Sequence, residues 1–168
     1  MNSWNNALRE GLVSGTLASL LSTAALALGG RRRSGHVAAL TNAVSHWAWG
    51  DDALRHDRPT LRHTLLGLAI HQGASVLWAT LYARLRPQGT VHDPAAAMTG
   101  AATTAAMAAL VDFKCTPQRL TPGFEHRLSG PALVAVYACF AAGIALGAMA
   151  MDEQEFEAEF DNSPQPWH

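Results

Sequence analysis

The sequence predicts an all-α integral membrane protein built as a four-helix bundle, and three observations carry that prediction. Hydrophobic residues make up 49% of the 168-residue chain and charged residues only 15%, against roughly 25% charged in a soluble domain. The charges also leave four long gaps, 11–30, 63–83, 94–111 and 128–151, without one Asp, Glu, Lys or Arg. Each gap is close to the about 20 apolar residues that cross a bilayer as a helix. Finally, the first and fourth gaps are relieved only by small or weakly polar residues, where a helix on a soluble surface carries a polar stripe at every turn. These observations place spans at about 11–30, 63–83, 94–112 and 130–151 within one domain over residues 1–150, followed by a tail at 152–168.

The first span follows Arg9 and ends at Arg31, Arg32 and Arg33. "ALA" at 25–27 resembles a leader-peptide cleavage site, but three arginines directly after an apolar run resist export, so the segment reads as a retained span. Gly11, Gly15, Ser19 and Thr23 recur every four residues and offer a surface for close helix packing.

The first loop, "GHVAALTNAVSHWAWGDD", reads as a short interfacial helix. Val37, Leu40, Val44 and Trp47 would form its apolar face, with His36, Asn42, Ser45, His46 and Trp49 around the rest. Trp47 and Trp49 would anchor it at the membrane surface, Gly50 would end it, and the arginine cluster before it suits anionic headgroups.

Pro59 and Thr60 open the second span. Thr64, Gly67, His71, Ser75, Trp78 and Tyr82 share one of its faces. A polar stripe facing lipid is costly, so this face is expected to turn inward. There His71 either bonds a Ser or Thr of a neighbouring helix or takes part in ligand binding or proton relay. Trp78 and Tyr82 lie near the far end, where aromatic rings favour the interface.

Asp93 and Pro94 start the third span, whose small residues Ala96, Gly100, Thr104 and Ala108 recur every four positions. Its alanines and threonines gain little from lipid, so it is expected to be sheltered inside the bundle. The third loop, "DFKCTPQRLTPGFEHRLSG", should contain a short helix started by Thr121–Pro122 and bearing Glu125 and His126. "SGP" starts the fourth span, which carries Gly143 and Gly147 as G-x-x-x-G. The tail, "MDEQEFEAEFDNSPQPWH", has no Lys or Arg and reads as solvated and disordered.

Alternation of four spans puts the first and third loops on one side. That side holds nine of the twelve Lys and Arg residues, and the other side holds Arg9, Arg84 and Arg86. Loops 31–62 and 113–129 are therefore expected in the cytoplasm and both termini in the periplasm.

Parity also gathers His46, Asp51, Asp52, His56, His63, Asp112, Glu125 and His126 at one end of the bundle, with His71 deeper in its span. Such a set can ligate zinc, iron or haem, bind a headgroup, or pass protons towards His71. It can equally be salt bridges and caps, with Asp51 or Asp52 on Arg55, and Asp112 or Glu125 on Arg119, Arg58 or Arg62. No H-E-x-x-H, C-x-x-C, G-x-S-x-G, phosphate-binding or dinucleotide motif is present, so no catalytic residue and no cofactor is assigned, while metal or haem stays open. Cys115 and Cys139 make no disulfide framework. A net charge of −1 carries no nucleic-acid footprint. The expected partners are the lipid bilayer and, through the small-residue rows, other membrane proteins or a second copy.

"GLAIHQGASVLW", with its His inside a span, and "LTPGFEHRLSGPALVAVY", with Thr-Pro before an aromatic and an acidic residue, resemble the YagU-like bacterial inner-membrane proteins. "SHWAWGDDALRHDRPTLRHT" resembles small multi-pass bacterial proteins more widely. The resemblance implies the bacterial inner membrane and no particular activity. The expected function is structural or interaction-based and not enzymatic. The first alternative is a metal-, haem- or headgroup-binding or proton- or solute-conducting protein using the His and carboxylate cluster. The second is a membrane-bound enzyme using the same residues.

Overall fold

The computed structural model describes residues 3–87 and 93–161, with side chains as far as residue 153. It is helical throughout, with no strand among the described residues. Four helices are long and apolar enough to cross a membrane: Trp4–Ser34, Leu61–Leu85, Pro94–Cys115 and Gly130–Glu153.

The first helix, α1 (Trp4–Ser34), is longer at both ends than the charge-free gap. Ser3 caps it by accepting from the Asn6 N–H at 3.2 Å. At the other end Gly35, at φ 76°, donates to the Arg31 carbonyl, a left-handed closure that glycine adopts without a Cβ penalty. Arg31, Arg32 and Arg33 occupy the last turn, where positive charge complements the helix dipole.

Two short helices follow, α2 (Ala39–Val44) and α3 (His46–Trp49), then a 3₁₀ turn at Gly50–Arg55. The single surface-lying helix expected here is replaced by a broken segment in which 38–46 is buried throughout. Glycine contacts explain how it enters the bundle. Gly30 lies against the His36 carbonyl and Gly67 against the Thr41 carbonyl, so closely that neither position has room for a Cβ.

Thr60 accepts from the His63 N–H and caps a π-helical turn, Leu61–Leu65, which runs directly into α4 (Leu66–Leu85). Helix α5 (Pro94–Leu110) starts with Pro94 in its first turn and Asp93 accepting from the Ala95 N–H at 2.9 Å. It ends in a second π-helical turn, Val111–Cys115. The third loop contains two 3₁₀ turns, Gln118–Leu120 and Phe124–His126. The helix expected from Thr121–Pro122 does not form. Gly123 sits at φ 86°, which no right-handed helix accommodates, so Glu125 and His126 belong to a three-residue turn.

The last helix, α6, runs Gly130–Asp161 and so continues into the segment read as a disordered tail; residues 162–168 lie outside the described residues. The uninterrupted run "DEQEFEAEF" contains no Gly or Pro to stop it.

Helix α1 is central. Its Gly11 and Gly15 lie against the α4 backbone at Thr80 and Val76, and its Ala18 and Ser14 receive Gly143 and Gly147 of α6. Helix α5 packs chiefly on α6. The Ala-rich third span is thus a flank and not a sheltered core: 22% of its most apolar stretch is buried, against 39% in α1 and 44% in α6. Gly100 of α5 meets the Tyr82 ring.

The size pattern is that of a bundle turned inside out. The main core contains Ala18, Ala79, Ala101, Ala105, Ala108, Ala141, Ala145 and Ala148 around Ile144, Phe140 and Tyr82. Leu12, Leu20, Leu28, Leu65, Leu77, Leu110, Val134 and Leu146 face outward. Close approach through small residues, with large apolar side chains outside, is how helices pack when lipid is the solvent.

Candidate functional site

Helix α4 rests chiefly on α1 and α5 on α6, and the two meet each other mainly where Tyr82 reaches Ala97 and Gly100. Between them lies a cavity of about 270 Å³ with walls from Ile70, Ala74, Leu77, Trp78, Val136 and Phe140. Its polar lining comes chiefly from Ser22, His71, Asp112 and Tyr137, which form two pairs. His71 Nε2 is 2.8 Å from Ser22 Oγ, and the Tyr137 hydroxyl donates to Asp112 Oδ2 at 2.6 Å. Phe113 stands edge-on to the Tyr137 ring, with centroids 5.7 Å apart. Trp78 also lines a second space of about 390 Å³ between the same helices, bordered by Tyr82, Gly100, Thr103 and Met107.

The roof of the first cavity is made by the two loops, through Val44 and Trp47 from one and Leu120, Pro122 and Phe124 from the other. Their union is specific. His46 Nε2 and Trp47 Nε1 both donate to the Thr121 carbonyl, at 2.7 and 2.8 Å. Gly123 presses on the Ala43 carbonyl, leaving no room for a side chain. Arg127 reaches back to Asp57 at 2.5 Å and to the Ala39 carbonyl at 3.4 Å. Trp47→Phe removes one donor while leaving His46 on the shared carbonyl. It is expected to cost about 1 kcal/mol, the usual net value of one hydrogen bond, read as the shift in a detergent unfolding midpoint.

The eight polar residues gathered by parity, and His71 deeper in its span, divide into several groups. His46 is 4% exposed and is a loop clamp. Asp51 and His126 line a groove with Arg119, and His46 borders the same groove. Glu125 is largely covered, with His126 Nε2 3.6 Å from its carboxylate. Asp112 and His71 line the interhelical cavity. Asp52, His56 and His63 stand together, each offering one ligand atom within 4.8 Å of the others. The ion pairs suggested by sequence are not those formed. Asp57 takes Arg127, and at the opposite end Glu10 takes Arg86 at 2.7 Å.

The four aromatic anchors also part company. Tyr82 is 5% exposed and its hydroxyl reaches the Ala97 carbonyl at 3.3 Å, so it is a core residue. Trp78 walls the cleft and Trp47 joins the loops. Trp49 alone among the four is exposed, with the Arg62 guanidinium 4.0 Å over its ring.

The polar stripe that opens at Thr64 and runs along α4 is satisfied partly by neighbouring elements and partly by its own backbone. Thr64 donates to Asn42 Oδ1 at 2.7 Å, while Ser75 and Thr80 turn back to the His71 and Val76 carbonyls. Those last two hydroxyls are therefore engaged on their own helix and are not poised as a relay beyond His71. Ser22 of α1 is the Ser or Thr of a neighbouring helix that the sequence offered His71, one of five such residues between 11 and 30, whereas Tyr137, the partner of Asp112, carried no sequence signal. Cys115 and Cys139 are both free.

No family model, curated protein or solved structure matches the chain.

Proposed function

We propose that the chain is a non-enzymatic, multi-pass protein of the bacterial inner membrane that holds a lipid-class molecule between α4 and α5. The ligand would be a long apolar body bearing one small polar group. The observation that carries this reading is the cleft itself, whose walls are apolar and whose polar atoms are concentrated at His71 with Ser22 and Asp112 with Tyr137. Ligand sites are typically apolar with a few placed polar groups that fix orientation, at about 300–1,000 Å³. The first cavity, at about 270 Å³, lies just below that range and the second, at about 390 Å³, lies within it.

Insertion in the bilayer is supported by the alanine interior and leucine exterior. In water, contiguous apolar flanks of this extent would drive aggregation. The orientation with loops 31–62 and 113–129 in the cytoplasm rests on the nine arginines and lysines on that side. Kinship with the YagU-like proteins is part of the same proposal and rests on the two stretches that resemble them. An assembly role stays compatible with it, because the outward faces of α4 and α5 are free for partners in the membrane plane.

Purification in mild detergent, solvent extraction and mass spectrometry test the reading. One lipid-class species should be enriched in near-stoichiometric amount over bulk lipid. Ala74→Trp, which fills the first cavity, should reduce that species roughly tenfold or more, as expected when a bulky ring occupies a ligand's space. Equal recovery from the variant, or extraction of bulk lipid alone, would reject it.

A further inference from the structure

We propose that Asp52, His56 and His63 form a binding site for a divalent metal ion of the zinc class at the head of α4. The three side chains come from the 3₁₀ turn, the segment after it and the π-helical turn that opens the span. Their candidate ligand atoms lie within 4.8 Å of one another. Two imidazoles and a carboxylate are a ligand set that zinc accepts, with a fourth position left for water or a substrate atom.

His63 supplies the strongest indication. It is 4% exposed, and its Nε2 is buried without a hydrogen-bond partner. Its other ring nitrogen, Nδ1, is 3.0 Å from Thr60 Oγ1. With Nδ1–H donating to that hydroxyl, the lone pair sits on Nε2, which is how metal-bound histidines are usually held. The same Thr60 oxygen accepts from the His63 backbone N–H at 3.1 Å, so the helix cap also fixes the ligand's backbone. A buried imidazole nitrogen with no partner is unfavourable, and a metal ion would satisfy it.

His56 is the adjustable member. Its ring stacks on His63 with centroids 4.1 Å apart and planes 17° from parallel. An ion in the plane of the His63 ring therefore requires His56 to turn. Its side chain is 39% exposed, so it has solvent to turn into, exchanging its stacking on His63 and its contact with the Asp52 carbonyl for the ion. Asp52 is already beside it, with its carboxylate 3.7 Å and its carbonyl 2.9 Å from His56 Nδ1. The loop backbone is meanwhile held, because Asn42 donates to the carbonyls of His56 and Arg58. The neighbouring Arg62 is engaged over the Trp49 ring. The site does not depend on a ligand in the α4–α5 cleft.

Zinc chloride titrated calorimetrically into the full-length, tag-free, chelator-stripped chain in detergent tests the assignment. One saturable site per chain is expected. His63→Ala and Asp52→Asn should each weaken it by at least roughly tenfold, since even outer partners of metal ligands contribute that much, while His126→Ala leaves it unchanged. Asp52 is exposed, so Asp52→Asn keeps the test sound if His63→Ala fails to fold. Absence of a saturable site, or a site that survives Asp52→Asn and is lost in His126→Ala, would overturn the proposal.

Discussion

Gly143→Leu should break the contact between α6 and α1 and lose most of the folded bundle. A Cβ at Gly143 would overlap the backbone of Ala18, and one at Gly147 would overlap that of Ser14. These neighbours are helix backbone, which cannot rotate aside as a side chain can. The penalty is therefore set at or above the top of the about 1–3 kcal/mol typical of overpacking. Gly15→Leu should behave alike, because its Cβ would overlap the α4 backbone at Val76. Gly73→Leu supplies the control: Gly73 lies on the same α4 but faces outward with nothing within 4 Å. Unfolding followed in mixed detergent micelles should show a large fall in midpoint for the first two variants and almost none for the third. A Gly143→Leu protein as stable as wild type would mean that α1 and α6 do not meet through this row.

That contrast marks what was legible in the sequence. The four long helices were visible because charge is excluded from them, a property of each segment alone. The glycines of α1 and α6 were visible because spacing by four is also local. Which helix each row meets was not, because pairing depends on the whole bundle. The alanine and threonine content of α5, which gains little from lipid, suggested a sheltered helix, and α5 lies on the flank. Parity placed the polar loop residues at one end but gave no distances. So nine residues read as one cluster become a clamp at His46, a groove at Asp51 and His126 with Glu125 beside it, a cleft at His71 and Asp112, and a compact triad at Asp52, His56 and His63. Segment 38–46 misled because its Asn, Ser and His residues suggest a wet face. Asn42 and His46 find their partners in the carbonyls at His56, Arg58 and Thr121, up to 75 residues away in the chain, while Ser45 turns back to the Asn42 carbonyl.

Asn42 is where that long-range pairing is most concentrated, and Asn42→Asp should be nearly as damaging as a leucine in the glycine rows. Asn42 has no solvent exposure. Its amide nitrogen donates to the carbonyls of His56 at 2.8 Å and Arg58 at 2.9 Å, while its oxygen accepts from Thr64 at 2.7 Å. Aspartate matches it in shape, so no cavity or clash confuses the result. It replaces the donating group by a second acceptor, turned towards two carbonyl oxygens. Each carbonyl left unsatisfied costs about 1–3 kcal/mol, and burial of the new carboxylate adds to this or forces it to hold a proton. A destabilisation of roughly 3 kcal/mol or more is expected from those terms. Asn5→Asp, at an exposed position, should leave stability almost unchanged. The damage should also spread in one direction: segment 56–58 loses its Asn42 tether and keeps the Asp57–Arg127 pair, so amide exchange should accelerate there, while the His46 and Trp47 clamp on Thr121 keeps the third loop in place. Uniform acceleration across both loops would show instead that the cap unfolds as one unit. Unaltered stability would mean that the buried amide does not anchor this loop.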